Sequence, residues 1–135
     1  MIGFTAGCFD LLHAGHVLML QEAKAVCDYL VVGLHVDPSI EREGKNKPVQ
    51  SLVERQIQLE AVKYVDKVVV YCIEEELMEI LSAHDINIRI IGEEYEDKVY
   101  TGKGMTQYVH YNIRNHEYST TELRKRVEED TYDAT

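Results

Sequence analysis

The feature that most limits how this chain folds is a regular alternation between short apolar, β-rich runs and helical patterns. Runs typical of buried strands occupy 2–6, 29–36, 66–72 and 87–92. Between and after them, helical periodicity covers 16–27, 51–65, 74–84 and 119–130. Strand–helix–strand units of this kind close with right-handed crossovers. The order therefore predicts a parallel sheet with helices on both faces.

Two of the predicted helices carry a start signal of their own. Ser51 is followed three residues later by Glu54, and Ser119 in the same way by Glu122. This spacing is typical of a capping box, in which the serine side chain binds a free backbone N–H of the first turn.

Composition narrows the class of protein. The length of 135 residues predicts a single domain, residues 1–135, and the net charge of −10 argues against a nucleic-acid binder. No apolar run approaches the about 20 residues of a membrane span, and no basic leader opens the chain, so a cytoplasmic protein without membrane contact is expected. The three cysteines form no C-x-x-C pair, which speaks against zinc and disulfide frameworks.

Segments that follow the predicted strands are the candidates for a binding site, because ligands of such sheets bind beyond the carboxyl ends of the strands. These segments are 7–16, 37–50, 73–75 and 92–106. The first contains two histidines and the second contains lysines, whereas the chain as a whole is acidic, with a net charge of −10. Local basic groups on an acidic protein suit a small phosphorylated ligand.

The sequence HAGH at 13–16 lies where the first strand passes into the first helix. A helix starting near Gly15 or His16 offers free N–H groups, and the two imidazoles add four N–H donors when protonated or two when neutral. Such a site suits phosphoryl or nucleotidyl transfer. Asp10 could orient a histidine, hold magnesium or cap the turn. The histidines could instead bind a metal or be incidental surface residues.

Five blocks resemble the HxGH nucleotidylyltransferase superfamily and within it the cytidylyltransferases, most closely those acting on glycerol 3-phosphate. The blocks are GCFDLLHAGHVLMLQEAK, DYLVVGLHVD, ERQIQLEAVKYVDKV, GEEYEDK and RNHEYSTTELR, in family order over about the first 125 residues. The resemblance implies a Rossmann-like three-layer α/β/α fold with a five-stranded, mainly parallel sheet. It also implies a homodimer.

The resemblance further implies the reaction. CTP would transfer CMP to a small phosphate monoester, with glycerol 3-phosphate as the first guess, and release pyrophosphate with the help of Mg²⁺ that arrives with the triphosphate. No metal site made by the protein is expected. The residues expected in catalysis are His13, His16, Lys45 and Arg114. Those expected to bind the nucleotide are Cys8, Phe9, Asp10, His13, Gly15, His16, Lys47, Gly92, Glu94, Tyr95, Arg114, Tyr118, Ser119 and Thr120.

Several positions depart from the family pattern. Cys8 replaces a threonine, Glu94 and Tyr95 replace an aspartate and a tryptophan, and Glu117 replaces a glycine. The lysine segment aligns only with an offset, so it could instead be a solvated loop, and Ser119 could be no more than a helix cap. Residues 98–112 do not match and are expected to shape the acceptor site, a subunit contact or both.

Other functions stay open at this point. Related enzymes of the superfamily use ATP, and some transfer AMP to sugar phosphates or to pantetheine phosphate. A protein that binds a nucleotide without catalysis is a second alternative. A tRNA-synthetase-like enzyme also carries an H-x-G-H element, but a chain of 135 residues leaves no room for a tRNA-binding region, and its net charge of −10 opposes one. The block at 54–68, with its Tyr-Val-Asp at 64–66, and the block at 92–98 resemble the cytidylyl branch more closely and favour CTP.

Overall fold

A computed structural model describes residues 1–132 of the chain, and the side chains of residues 1–129. The strands are β1 (Ile2–Gly7), β2 (Tyr29–His35), β3 (Lys67–Tyr71), β4 (Ile88–Gly92) and β5 (Tyr108–Asn112). The helices are α1 (Ala14–Ala25), α2 (Leu52–Glu60), α3 (Glu76–Ala83) and α4 (Thr120–Tyr132). Short 3₁₀ turns occupy Pro38–Ile40 and Glu93–Tyr95. The last three residues of the expected single domain, 133–135, lie outside the described part.

The five strands form one sheet in the order β3-β2-β1-β4-β5, and every pairing in it is parallel. This confirms the Rossmann-like α/β fold and the five strands. The fifth strand, β5, lies inside 98–112, where the sequence suggested no strand.

Two hydrophobic clusters cover the two faces of the sheet. On one face, Leu20 and Ala23 of α1 and Leu59 of α2 pack with Leu30 and Val32 of β2. On the other face, side chains of α3 pack with the alternate positions of β1, β2 and β3. Neighbouring strand residues point to opposite faces, so an all-apolar strand serves both clusters. The three-layer arrangement follows directly.

The observed helix boundaries have local causes. At α2, Ser51 Oγ accepts the Glu54 N–H at 3.2 Å and Glu54 Oε1 accepts the Ser51 N–H at 3.0 Å, which confirms the capping box. The helix ends at Glu60, earlier than the periodicity to residue 65 indicated, because Ala61, Val62 and Val65 bond back three residues rather than four.

No helix among residues 1–132 is long and apolar enough to cross a membrane.

Candidate functional site

The candidate site lies where two neighbouring strands separate. β1 pairs with β2 along its whole length, but it pairs with β4 only at Gly3↔Ile88 and Phe4↔Arg89. The strand order also reverses here, since β1 leads outward to β2 and β4 leads outward to β5. Open α/β sheets bind ligands at such a point. An open cavity of about 1070 Å³ occupies it, which is large for one small ligand.

The turn between β1 and α1 forms the lip of this cavity and has a strained backbone. Phe9 has φ 51° and Leu11 has φ 50°, values that side chains other than glycine rarely adopt. Phe9 is 4% exposed, and its ring packs in the core 5.5 Å from the His16 ring. The buried ring thus anchors the turn, and Phe9 can offer a ligand its backbone but not its side chain.

Asp10 fastens this turn to the loop that carries the lysines. Its carboxylate accepts the Val49 N–H at 2.8 Å and the Gln50 N–H at 2.9 Å. Gln50 returns the contact, since its Oε1 accepts the Leu11 N–H at 2.8 Å, and Arg124 lies 3.5 Å from the same carboxylate. The contacts of Asp10 differ from the three roles considered in the sequence analysis, since they join the β1–α1 turn to the lysine loop.

Arg55 is a structural centre that the sequence analysis missed. It is 2% exposed, and its guanidinium donates to the carbonyl oxygens of Cys8 at 3.1 Å, His35 at 2.6 Å and Val36 at 2.6 Å. One side chain therefore gathers the carboxyl ends of β1 and β2. A signal was present in the sequence, because Arg55 lies at helical spacing between Leu52 and Leu59, on the apolar side of its helix.

The two histidines of HAGH form the start of α1 itself. His13 Nδ1 accepts the Gly15 N–H at 3.0 Å, and His16 Nδ1 accepts the His13 N–H at 3.1 Å. This is a capping box made of imidazoles in place of serine and glutamate. It starts the helix at Ala14, two residues before the predicted position.

These two bonds set the tautomer of both rings. An Nδ1 that accepts a backbone N–H carries no proton, so each neutral ring has its proton on Nε2. The neutral pair therefore offers two N–H donors, rather than the four of the protonated pair. The Gly15 N–H donates to His13 Nδ1 and is therefore not one of the N–H groups that the start of α1 offers a ligand.

The surroundings of the rings keep them neutral. Burial, followed by the nearby His13, lowers the pKa of His16 to about 4. Burial also lowers the pKa of His13, and the charges of Arg114 and His116 add to the effect. Neutral imidazole is thus the resting form of both side chains at neutral pH, with the rings 3.9 Å apart.

A second group of predicted residues closes over the histidines from the segment before α4. Arg114 is exposed, and its Nη2 donates to the Tyr118 backbone oxygen at 3.2 Å. His116 stacks on the Tyr118 ring at 5.3 Å. A Cβ on Gly15 would lie 2.8 Å from the His116 ring and 2.9 Å from the Tyr118 oxygen. Only glycine fits under this segment.

The remaining predicted residues take different places. Ser119 caps α4, since its Oγ accepts the Glu122 N–H at 3.0 Å, and Thr120 Oγ1 donates to the Asp10 carbonyl at 3.3 Å. Lys45 and Lys47 are exposed. The predicted residues that line the common cavity are Cys8, Asp10, His13, Gly15, His16, Lys45, Lys47, Gly92, Glu94, Tyr95, Arg114, Tyr118 and Thr120. Phe9 and Ser119 lie outside the lining.

The cavity has two sides, which we name by the helix on each face of the sheet. The α1 side carries His13, His16 and the segment with Arg114. The α3 side carries residues that the sequence analysis did not select, namely His35, Tyr71, Arg89 and Tyr100. His35 and Tyr71 are buried and stacked at 4.6 Å. Space for two substrates on the two sides of one gap suits a transfer reaction.

The chain is similar in sequence to known proteins. A family model described as "Cytidylyltransferase-like" matches residues 4–126. A curated relative, "Bifunctional protein HldE" of Campylobacter jejuni (strain RM1221), is 34% identical over 95% of this chain and 28% of its own length. The protein of the same name from Wolinella succinogenes is 42% identical over 80% of this chain and 23% of its own length. The chain thus spans about a quarter of these relatives.

A solved structure has a similar fold. It is described as the crystal structure of the lipopolysaccharide core biosynthesis protein from Thermoplasma volcanium GSS1. The TM-score is 0.61 over 97% of this chain and 88% of that chain, at 21% sequence identity. The likeness supports the Rossmann-like architecture.

Proposed function

Because the chain belongs to the cytidylyltransferase-like family of nucleotidyltransferases, we propose that it transfers a nucleotidyl group from a nucleoside triphosphate to a small phosphate monoester and releases pyrophosphate. One observation carries the proposal. His13 and His16 are held at the lip of the cavity as neutral rings whose Nδ1 atoms are occupied, which leaves both Nε2–H groups as donors. Residues 1–135 would act as one catalytic domain.

In this reaction an oxygen of the acceptor phosphate attacks the α-phosphorus, the bond to the bridging oxygen breaks, and pyrophosphate leaves with the electron pair. No proton has to be removed from a phosphate dianion, so the protein needs no general base. It has to place donors where charge develops on the phosphoryl oxygens. The Nε2–H groups of His13 and His16 would serve there, and the Arg114 cation would bind the departing phosphates.

Rigid donors matter more than strong ones in such a site. Rings that cap their own helix have little freedom to reorient, so little reorganisation is needed as the reaction proceeds. Lys45 would stabilise the transferring group and Lys47 would bind phosphate. Cys8, Gly15, Tyr118 and Thr120 would line the triphosphate, and Gly92, Glu94 and Tyr95 would line the base.

Magnesium fits this arrangement as a companion of the triphosphate. Among the described residues no group of three or more His, Cys, Asp or Glu side chains is placed to hold a metal ion, and the Asp10 carboxylate is occupied by two backbone N–H groups. Phosphate oxygens would therefore supply most of its ligands. When bound, the ion would neutralise phosphate charge.

We place ATP and a sugar phosphate first among the substrate pairs. The relatives reported above carry the name HldE rather than that of a cytidylyltransferase, and they match most of this chain. The solved structure with a similar fold is described as a lipopolysaccharide core biosynthesis protein, a name that refers to sugar chemistry. CTP with glycerol 3-phosphate is the second candidate, favoured by the blocks at 54–68 and 92–98. A homodimer is part of the proposal and is tested by light scattering.

The experiment is pyrophosphate release by purified protein with Mg²⁺. ATP and CTP are each crossed with a panel of sugar phosphates, glycerol 3-phosphate, phosphocholine and phosphoethanolamine. We expect turnover with one nucleotide and one acceptor class. His84→Asn is the matched control, since His84 ends α3 and lies outside the cavity lining. Nucleotide binding without pyrophosphate release across the panel would contradict the proposal and favour a binding module.

A further inference from the structure

We propose that Arg89 binds an anionic group of the acceptor substrate on the α3 side of the cavity. This inference rests on the proposed nucleotidyl transfer and adds to it where the acceptor lies and which chemistry it must carry. The ligand group is a phosphate or a carboxylate, because the planar guanidinium matches both with paired hydrogen bonds.

Arg89 is a cation placed where a strand should be apolar. It is the second residue of β4, between Ile88 and Ile90, and is only 5% exposed. Among the described side chains, no carboxylate lies within ion-pairing distance of it. Glu74, whose charge reaches Arg89, forms its ion pair with Arg42 at 2.7 Å. Arginines this deeply buried are seldom left without an anion, because an uncompensated buried charge is costly.

The guanidinium is held in place but not saturated. Its Nη1 donates to the Thr101 carbonyl at 2.8 Å, and its carbon atom Cζ lies 5.6 Å from the Phe4 ring and 5.3 Å from the Tyr100 ring. Its Nε is buried and has no hydrogen-bond partner among the described residues. Two aromatic faces and one carbonyl fix the position of the group without neutralising it.

The position of Arg89 assigns it to the acceptor. Ile88 and Ile90 point into the cluster on the α1 face, so Arg89 between them points to the α3 face, where it contacts Phe4. It lines the same cavity as His13 and His16, which begin the helix of the opposite face. A triphosphate bound at the histidines therefore leaves Arg89 for the second substrate.

The segment that holds Arg89 is the one that matched no family block. Tyr100 and Thr101 belong to 98–112, which the sequence analysis expected to shape the acceptor site. Burial lowers the pKa of Arg89, yet an arginine stays charged in proteins, so an arriving anion meets a fixed positive group. Recognition of the acceptor would thus depend on the strand and on this segment together.

The test uses inorganic phosphate as the probe, with a non-hydrolysable nucleoside triphosphate bound first to fill the α1 side. Calorimetry compares the wild type with Arg89→Met, Arg89→Lys and the control Arg126→Met, whose side chain is exposed and outside the cavity lining. We expect Arg89→Met to weaken phosphate binding about 10- to 100-fold, the loss of charge-assisted hydrogen bonds, with unchanged nucleotide affinity. Malonate in place of phosphate distinguishes a carboxylate site from a phosphate site.

Turnover provides the second measurement. With the acceptor identified, Arg89→Met should raise the acceptor KM by the factor by which it weakens phosphate binding, and leave the nucleotide KM unchanged. The acceptor KM of Arg89→Lys should lie between those of Arg89→Met and the wild type. If Arg89→Met does not fold, Arg89→Lys still loses the paired geometry and decides the question. Phosphate binding as tight in the Arg89 variants as in the wild type would overturn the inference. Phosphate binding that depends on Arg89 in a protein without turnover would refute the proposed function alone.

Discussion

Substitution of His16 by asparagine separates the two tasks of this side chain. The asparagine oxygen takes the place of Nδ1 and can still accept the His13 N–H, which the imidazole accepts at 3.1 Å. Nothing in asparagine reaches the position of Nε2. His16→Asn should therefore keep the start of α1 and lose the donor to the phosphoryl group.

The expected loss of activity and the expected loss of folding stability differ enough to be measured separately. Removing one preorganised donor to a developing oxyanion lowers kcat about 10²- to 10³-fold, or about 3–4 kcal/mol. Losing a helix cap costs about 1 kcal/mol, and asparagine retains most of it. The lost ring also gives up its contacts with Phe9 and His13, at centroid distances of 5.5 Å and 3.9 Å. We expect a total loss of about 1 kcal/mol in the free energy of unfolding and a Tm about 4 °C lower.

The assay pairs pyrophosphate release with thermal unfolding for wild type, His16→Asn, His16→Gln and the control His84→Asn. Glutamine reaches the position of Nε2 but cannot replace Nδ1, so His16→Gln should lose more stability and keep more activity than His16→Asn. A kcat for His16→Asn within about threefold of the wild type would refute the catalytic role, since one lost donor should cost at least 10². Equal losses of stability in both variants would refute the capping argument.

Three further predictions follow from the same contacts. The free energy of unfolding should fall by up to about 3 kcal/mol as the pH drops from 6.5 to about 4, because His16 binds a proton in the unfolded chain while the folded ring stays neutral. Urea titrations measure this loss, which should be smaller in His16→Asn. Asp10→Asn should lower the free energy of unfolding by about 1–3 kcal/mol, because an amide nitrogen replaces one of the two oxygens that accept backbone N–H groups. It should leave the Mg²⁺ concentration for half-maximal activity unchanged, and a change in that concentration would mean that Asp10 binds the metal. Gly15→Ala should lower both kcat and Tm, since the added Cβ would lie 2.8 Å from the His13 and His116 rings and 2.9 Å from the Tyr118 backbone oxygen; full activity would show that the segment over α1 shifts without cost.

Local patterns predicted most of the fold. The apolar runs located β1 to β4, and the capping box at Ser51 located the start of α2, because both signals lie within a few neighbouring residues. β5 escaped because Tyr108–Asn112 mixes aromatic and polar residues, and its identity as a strand depends on pairing with β4. α1 begins earlier than its apolar pattern indicated. The early start was not predicted because histidine is an unusual helix cap.

The candidate site was predictable as a set of segments and less so as a set of contacts. The rule for parallel sheets brought HAGH, the lysine loop and the segment before α4 to one cavity. Arg55 and Arg89 were missed because their partners are backbone oxygens and aromatic rings distant in sequence. An arginine inside an apolar stripe or strand is the signal that would have found both.

The imidazole cap has a consequence for how the chain could evolve. In a lineage that lost the reaction, His13 and His16 would not be free to drift, because any replacement that cannot accept a backbone N–H disturbs the first turn of α1. Serine or asparagine could take over the cap, so histidine at both positions of a homologue indicates that the Nε2–H donors are still needed. Arg114 is a second informative position, since it is exposed and its side chain makes a single hydrogen bond within the described chain. In a homologue that performs the proposed reaction, selection would retain it mainly for phosphate binding.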